Sequence, residues 1–409
     1  MQTVKGQLIQ YFIDGEKKKE DGFLLGIELE HFIVHKDTKR AVSYYGDRGV
    51  EAILKELSVY YNNNLYEKGH LIGMVNEEYY ITLEPAAQIE ISILPQKNIV
   101  EIEKIYNGFK ALWETVLEKY NYQLMTLGYQ PISKVDDLDL IPKERYKLMD
   151  FHFSNIGQYG RQMMRGTAST QVSIDYFSQE DFSKKYKLAY ILSPIMMFLY
   201  DELPIYEGKK NETPMYREHI WKHVDSERIE VFKDDFVNID YDRYADFVLQ
   251  APMIVRPDKN KGICYEQRGA GECYSSVDKK EIEHILSMVF PMVRLKHFIE
   301  VRYGDSMEFQ TALSYFTWIK GLFIGVDEGL SFFESLQVKK YKQISEAFAE
   351  LRRKRENAFI YGMEFSKIVS KIYKIGKKYI EKEEKKYLSL PYLSRTTKMI
   401  LDSERGMED

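Results

Sequence analysis

The chain has 409 residues, of which 44% are hydrophobic and 30% charged, a composition that fits a packed globular protein and excludes a disordered one. Its formal net charge of −5 at pH 7 argues against a general nucleic-acid binder, which normally carries a basic surplus. The two cysteines, Cys264 and Cys273, are too few for a secreted disulfide framework, although redox regulation through them stays open.

No targeting or membrane segment is predicted. Residues 1–20 are polar and lysine-rich and lack an apolar core of signal-peptide length, so we expect a cytoplasmic protein without a membrane partner. The longest apolar run, residues 188–200, is too short to span a bilayer and contains Pro194. It predicts a buried helix.

Charged and apolar residues alternate in the first predicted strand, residues 25–30. Glu28 and Glu30 fall on one face, and leucine and isoleucine fall on the other. A helix is predicted over residues 50–60, where apolar residues recur at helical spacing. A further strand is predicted over residues 77–83.

The next predicted strand, which contains residues 88–92, shows the same alternation of polar and apolar residues. Gln88, Glu90 and Ser92 share one face, while isoleucines occupy the other. By the same alternation Glu84 belongs to the face of Gln88 and Glu90, but Pro85 lies between them in the sequence. Because proline cannot donate a hydrogen bond to a neighbouring strand, an edge position or a bulge is expected there. Taken alone, such a face is typical of an ordinary solvated strand.

The middle of the chain predicts further elements of both kinds. Apolar spacing predicts a helix over residues 98–120 and a strand over residues 124–129. Residues 136–162 show no period and predict a long functional loop. Residues 167–175 form another strand with a polar row, and Ser178 is the predicted N-cap of the helix that follows.

The last third of the chain is predicted to be mostly helical. A capping box at Asp278 begins a helix, and residues 298–303 form a strand in which Glu300 and Arg302 share a face. Residues 307–387 are helical in character. We therefore expect a single α+β domain over residues 1–409, with a strand-rich catalytic core over 1–305 and a helical C-terminal part over 306–409.

The polar rows of these strands contain Glu, Gln, Ser, Thr, Asp and Arg but no lysine. Carboxylates without neutralising lysines predict bound cations, and hard oxygen ligands suit Mg²⁺ or Mn²⁺, which commonly brings substrate phosphates with it. The sequence has no P-loop, no Gly-x-Gly-x-x-Gly after a strand and no Gly-x-Ser-x-Gly. Metals and arginines would therefore have to hold any phosphates.

Several motifs in order make the chain similar to a known family, glutamate–cysteine ligase of the plant and proteobacterial type, with its carboxylate–amine ligase relatives. The resemblance spans residues 26–305. Its motifs are Gly26-Ile27-Glu28-Leu29-Glu30, Leu83-Glu84-Pro85 with Gln88-Ile89-Glu90-Ile91-Ser92, Arg145-Tyr146 with Met149, Met163-Met164-Arg165 with Thr167-Ala168-Ser169-Thr170-Gln171-Val172 and Asp175, Tyr216-Arg217 with Ile220-Trp221, Asp225 and Arg228, and Phe290-Pro291 with Arg294, Glu300-Val301-Arg302 and Asp305.

The resemblance implies a funnel-shaped antiparallel sheet akin to the glutamine synthetase catalytic domain, with ATP and Mg²⁺ on its concave face. It also implies that ATP phosphorylates the side-chain carboxylate of glutamate and that the amine of cysteine attacks the acyl phosphate, the first step of glutathione biosynthesis. The chain departs from the family at Ala86-Ala87, where the family usually has two glycines. The alternative is a ligase of the same chemistry that joins glutamate or another carboxylate to a different amine.

The expected site residues follow from the resemblance and from the polar rows together. Arg302 and Glu300 are the expected catalytic residues, and Arg302 and Gln88 the expected ATP-binding residues. The expected metal ligands are Glu28, Glu30, Glu84, Glu90 and Glu300. The expected substrate-binding residues are Arg145, Met149, Met164, Thr167, Ser169, Gln171, Arg217 and Trp221, with the two methionines beside the cysteine thiol. The expected partners are glutamate, cysteine and ATP, for a monomer or a homodimer.

Overall fold

A nine-stranded sheet lies at the centre of the computed structural model, which describes residues 3–231, 238–258 and 262–389. The strands of the chain are β1 Leu25–His35, β2 Asn63–Glu67, β3 His70–Val75, β4 Tyr79–Leu83, β5 Ile89–Gln96, β6 Tyr122–Met125, β7 Ser169–Ile174, β8 Ile205–Tyr206, β9 Lys209–Lys210, β10 Val255–Asp258, β11 Gly262–Tyr265, β12 Val293–Leu295, β13 Ile299–Asp305, β14 Phe359–Ile360 and β15 Met363–Glu364.

The central sheet has the order β12-β13-β7-β1-β5-β4-β3-β2, and β6 pairs with β1. Every one of these pairings is antiparallel. The remaining strands form two-stranded sheets, β8-β9, β10-β11 and β14-β15. With the helices around them, they confirm the predicted α+β class with an antiparallel sheet.

The helices pack around this sheet. They are α1 Val4–Asp14, α2 Val50–Leu57, α3 Ile99–Glu118, α4 Glu144–Asn155, α5 Gln179–Leu199, α6 Tyr216–Lys222, α7 Ser226–Ile229, α8 Tyr241–Gln250, α9 Ala270–Cys273, α10 Lys279–Leu286, α11 Phe309–Ile324, α12 Val326–Ser335, α13 Tyr341–Lys354 and α14 Phe365–Lys378. Within the described residues, no helix has the length and apolar character needed to cross a membrane.

The predicted alternation in the central strands is confirmed. In β5 the isoleucines are buried at every second position, and the polar residues between them are half-buried. Glu30 of β1 lies directly opposite Glu90 of β5, and Glu28 lies opposite both Ser92 of β5 and Gln171 of β7. Because directly opposed residues share a face, the polar rows of separate strands join into one surface.

The expectation of an edge or a bulge at Pro85 is wrong. β5 lies between β1 and β4, and Pro85 belongs to the tight turn that joins β4 to β5. The N–H of Ala87 donates to the carbonyl of Glu84, and the N–H of Glu84 donates to the carbonyl of Gln88, both at 2.9 Å. Ala87 has φ +63°, in the left-handed region. Pro85 is tolerated because a turn does not need its missing N–H.

Most predicted helices are confirmed, including the Ser178 N-cap of α5 and the Asp278 capping box of α10. The prediction of a loop over residues 136–162 is wrong in part, because it contains α4. The buried residues of α4 include Tyr146, Met149 and Phe153, but polar residues interrupt this face and hide its period. The β2–β3 hairpin was not predicted because the residues of β2 are mostly exposed and do not alternate.

A buried ion pair within the helical part after β13 is hydrogen-bonded to the backbone of the sheet-bearing part. The Nζ of Lys320, on α11, lies 2.7 Å from both carboxylate oxygens of Glu384, and it also donates to the carbonyl of Lys97 at 2.8 Å. Glu384 accepts from the N–H of Ile99, the first residue of α3, at 2.8 Å. Glu384 is fully buried. The division of the chain at residue 305 within one domain stays a prediction.

Replacing Lys320 tests this connection. In Lys320→Met the carboxylate of Glu384 stays buried without its cation, and the free energy of unfolding should fall by about 3–5 kcal/mol. The control is Lys378→Met, which removes an exposed 2.7 Å ion pair with Glu328 and should leave stability nearly unchanged. Urea unfolding measures both variants. Equally small effects would show that Glu384 does not anchor the helical part.

Candidate active site

A cavity with a volume of about 160 Å³ opens beside the polar surface of the sheet. Helices α4, α6 and α13 contribute to its walls along with β1, β7 and β13. Many of the predicted site residues line it, namely Glu30, Glu84, Gln88, Met149, Met164, Thr167, Ser169, Arg217, Trp221 and Arg302. Residues from distant parts of the sequence therefore meet at one place.

The other predicted residues lie outside the cavity lining, and they are Glu28, Glu90, Glu300, Arg145 and Gln171. The two Nη atoms of Arg145 donate to the hydroxyl and the carbonyl of Ser287, each at 2.9 Å. Gln171 bridges two site residues, since its Nε2 donates to Glu30 at 3.0 Å and its Oε1 accepts from Arg302 at 2.5 Å. Arg145 thus has its own partner, and Gln171 supports residues that reach the cavity.

Glu30 is held as a carboxylate by neutral donors. It accepts from the backbone N–H and the hydroxyl of Ser169, both at 2.7 Å, and from the amide of Gln171. Burial raises its pKa, whereas these hydrogen bonds and the nearby charges of Arg217 and Arg302 act in the opposite direction. The net pKa is still raised above the ordinary value for glutamate.

Glu28, Glu84 and Glu90 have fewer favourable interactions to offset the burial of their negative charge. Burial, together with repulsion from Glu90 and Glu30, raises the pKa of Glu84 to about 8. Burial and repulsion from Glu90 and Glu300 raise the pKa of Glu28 to about 7. Glu90 accepts hydrogen bonds from two hydroxyls, and its pKa is also raised by burial. Within the described part of the chain, none of the three forms an ion pair.

Glu300 is neutralised by cations of the protein itself. Its carboxylate accepts from Arg294 at 2.8 Å, from Lys296 at 2.7 Å and from Arg302 at 2.7 Å, and it is fully buried. Burial alone would raise its pKa, but the three cations outweigh burial and hold the pKa well below its usual range. Although the rows themselves lack lysine, Lys296 reaches Glu300 from just beyond β12.

The carboxylate row offers oxygen ligands for a divalent cation. Among the described residues, no group of three or more His, Cys, Asp or Glu side chains is gathered as a metal site. The donor chemistry of Glu28, Glu84 and Glu90 fits a hard cation, because these half-buried carboxylates form no ion pair with a described residue. Glu300 already has its counter-ions. Metal ligation by the predicted set stays a prediction.

Two arginines face the cavity in different ways. Arg302 is fixed through Nη1 by Glu300 and Gln171. Arg217 donates from Nη2 to the carbonyls of Arg302, at 2.9 Å, and Gly304, at 3.2 Å. The Nε of Arg217 is buried and lies 3.6 Å from Oδ1 of Asp305, close enough for an ion pair although too far for a hydrogen bond. Arg217 is therefore already paired with a carboxylate of the protein.

Gln88 and Thr167, two of the predicted site residues, form hydrogen bonds to backbone groups. Gln88 donates from Nε2 to the carbonyls of Arg165 and Thr167 and accepts from the N–H of Ala86, so its amide braces the β4–β5 turn. The hydroxyl of Thr167 donates to the carbonyl of Met163 at 2.7 Å. The predicted roles of Gln88 in ATP binding and Thr167 in substrate binding stay predictions.

Sequence reasoning placed Arg302 beside Glu300 but missed Arg294 and Lys296 as its partners, and it missed part of the cavity wall. Arg294 lies directly opposite Glu300 in the β12–β13 pairing, and the alternation of arginine and lysine with valine and leucine at residues 293–296 could have revealed it. Phe348 of α13 also lines the cavity. No local pattern marks it, because its place depends on how the helical part packs.

Comparisons with known proteins find relatives over most of the chain. Residues 24–350, more than half of the chain, match the model of glutamate–cysteine ligase family 2. The chain is 29% identical over 315 residues to the chloroplastic glutamate–cysteine ligase A of Oryza sativa subsp. japonica, covering 74% of this chain and 63% of the rice protein. It is 30% identical over 311 residues to the chloroplastic glutamate–cysteine ligase of Arabidopsis thaliana, covering 73% and 58%. The chain thus spans less than two thirds of the length of these relatives.

A solved structure shows the same fold. The glutamate–cysteine ligase of Francisella tularensis, crystallised in complex with AMP, superimposes with a TM-score of 0.52 at 11% sequence identity, over 90% of this chain and 80% of that one. This likeness and the antiparallel sheet together confirm the expected fold, akin to the glutamine synthetase catalytic domain.

Two glutamate variants should differ in stability. Glu300→Gln leaves the buried Arg294 and the half-buried Lys296 and Arg302 without their anion, and the free energy of unfolding should fall by about 3 kcal/mol. Glu28→Gln instead removes a half-buried charge that repels Glu90, so stability should be unchanged or higher. Urea unfolding in EDTA at pH 8 measures both. An equal loss in the two variants would contradict the distinction between neutralised and unneutralised carboxylates.

Proposed function

Because the chain belongs to glutamate–cysteine ligase family 2, we propose that it is an ATP-dependent ligase that joins the side-chain carboxylate of glutamate to the amine of cysteine. The reaction passes through γ-glutamyl phosphate and is the first step of glutathione biosynthesis. One observation carries the proposal: a single cavity collects carboxylates, two arginines and an apolar wall. These are the groups that a carboxylate, a phosphoryl group and a small amine require.

Arg302 is the proposed phosphoryl-binding group. Phosphoryl transfer asks the protein mainly for positioning and for charge that is already in place. Glu300 and Gln171 hold one end of the guanidinium, so its direction is set before substrates bind. This bracing supports a catalytic role for Arg302, with Glu300 acting through it.

Arg217 is the proposed partner of a substrate carboxylate. Its guanidinium is anchored on the carbonyls of β13 and paired with Asp305 at 3.6 Å, so its direction is fixed beside the cavity that it lines. A guanidinium that is already oriented can engage a carboxylate with little further loss of side-chain freedom. Arg145 lies outside the cavity lining and is bonded to Ser287, so its assignment has less support.

Magnesium would be held by Glu28, Glu84 and Glu90, with Glu30 beside them. When bound, Mg²⁺ or Mn²⁺ neutralises the charge of the nucleotide phosphates during transfer. The contribution of the chain is a half-buried row of carboxylates whose mutual repulsion is relieved by a cation. Ser169 and Gln171 hold Glu30 in a fixed direction within this row.

The proposal also covers domain organisation, localisation, oligomeric state and partners. We propose one catalytic domain, in which the helical part supplies a wall of the cavity, and a cytoplasmic enzyme that acts as a monomer or a homodimer. Its partners are glutamate, cysteine and ATP. Met149, Met164 and Trp221 lie where the side chain of the amine would pack.

The direct assay combines protein, ATP, Mg²⁺, glutamate and cysteine. We expect formation of ADP and of a product with the mass of γ-glutamylcysteine, with no turnover in excess EDTA and recovery when Mg²⁺ or Mn²⁺ is added back. Omission of either amino acid is the control. ADP formation that needs no divalent cation would remove the metal assignment. The absence of ADP with every amine tried would refute the proposed ligase.

Arg302→Lys tests the phosphoryl assignment. Lysine keeps the charge but loses the planar fork, so kcat should fall by about 10²–10³ while the KM for glutamate changes little. The matched control is Arg161→Lys, an exposed arginine paired with Asp136 outside the cavity. A kcat within a few-fold of the parent would show that Arg302 serves only as a counter-ion to Glu300.

A further inference from the structure

Helix α6 carries four of the residues that line the cavity, and it is too short to keep its place alone. These residues are Arg217, Glu218, Trp221 and Lys222. The helix has seven residues, whereas isolated helices shorter than about 12–15 residues are marginal in water. The positions of the four side chains therefore depend on the contacts that other elements make with α6.

One side of α6 is bound to the sheet. Arg217 donates to the carbonyls of Arg302 and Gly304 and is paired with Asp305, all on β13. Just before the helix, the N–H of Met215 donates to the carboxylate of Asp201 at 2.8 Å. These contacts hold the start of the helix and a single direction around its axis.

A second direction is held by the helical part of the chain. Glu218 follows Arg217 directly, and consecutive residues of an α-helix are about 100° apart around the axis. Glu218 forms an ion pair with Arg352 of α13, and no other described residue is paired with it. Glu218 is buried, so salt screens this pair less than an exposed one. Contacts in two directions fix the rotation of α6, and with it the place of Arg217 and Trp221.

Arg352 belongs to the side of α13 that faces the cavity. Tyr341, Ser345 and Phe348 of this helix line the cavity, and Arg352 follows them at helical spacing. Its guanidinium carbon lies 5.7 Å from the centroid of the Phe348 ring. Arg352 itself lies outside the cavity lining. Any effect that it has on a substrate must therefore pass through its neighbours.

We infer that Arg352 is a positioning residue for substrate binding and that it acts through Glu218 on the cavity-lining residues of α6. The inference rests on the proposed ligase function, in which Arg217 binds the carboxylate of a substrate amino acid. Arg352 lies two residues beyond the part of the chain that matches the family model, residues 24–350. The helical part thus contributes to substrate affinity as well as to the wall of the cavity.

Loss of the pair should change binding rather than the chemical step. Without Arg352, α6 is no longer held on its second side, whereas Arg302 keeps its contacts with Glu300 and Gln171. A change that weakens ground-state and transition-state binding equally raises KM and leaves kcat unaltered. A merely structural role would instead reduce the fraction of folded enzyme, which lowers the apparent kcat and leaves KM unaltered.

The kinetics of Arg352→Met test the inference. Arg217→Lys first identifies which amino acid, glutamate or cysteine, depends on α6 through its KM. In Arg352→Met the KM for that same amino acid should rise about 10-fold, while kcat and the KM for ATP stay within about 3-fold of the parent values. The control is Arg353→Met, at the exposed neighbouring position paired with Glu350, which should leave these constants unchanged. An unaltered KM, or a lower kcat alone, would overturn the inference.

A double-mutant cycle tests the route through Glu218. Glu218→Gln should raise the same KM, and adding Arg352→Met to it should cause no further rise, because the two residues act as one unit. Arg352→Lys keeps the charge that Glu218 needs, so it should fold and raise the same KM by a smaller factor. Effects that multiply in the double variant would overturn the inference and leave the proposed function standing. A parent enzyme that is inactive with every amine would refute both.

Discussion

The rest of the structure depends on how the protein offsets the free-energy cost of placing several carboxylates on one face of its central sheet. A carboxylate withdrawn from water is unstable unless something compensates it. The chain compensates Glu300 with its own arginines and lysine, and it compensates Glu30 with hydroxyl and amide donors. Among the described residues Glu28 and Glu84 form no ion pair, and the charges of Lys296, Lys143 and Arg302 only partly offset burial, so their pKa values rise to about 7 and 8. The charge on this face is therefore neutralised at Glu300 and incompletely compensated at Glu28 and Glu84.

Local alternation was enough to predict the polar surface. A period of two fixes which residues of a strand share a face, and antiparallel pairing then places Glu30 opposite Glu90. The same reasoning could not show that Glu300 is neutralised, because that depends on the pairing of β12 with β13. It also missed α4, whose buried face is broken by polar residues. Contacts set by tertiary packing leave no periodic trace in the sequence.

The helical part contributes to the wall of the cavity as well as to the stability of the fold. Phe348 and Ser345 of α13 reach the cavity, and the buried pair of Lys320 with Glu384 connects α11 to the start of α3. The motifs of the family resemblance end at Asp305, yet one wall of the cavity comes from later in the chain. The predicted site residues thus lie within the motifs, while part of the cavity wall is built outside them.

The turn at Ala87 has a consequence for motion. An alanine in the left-handed region costs about 1–2 kcal/mol, which the surrounding pairing must supply. In return, an alanine has far fewer backbone states than a glycine. The turn that joins β4 to β5 is therefore stiffer than a glycine at this position would make it. Glu84, three residues before Ala87 and part of the cavity lining, is consequently held in a narrower range of positions.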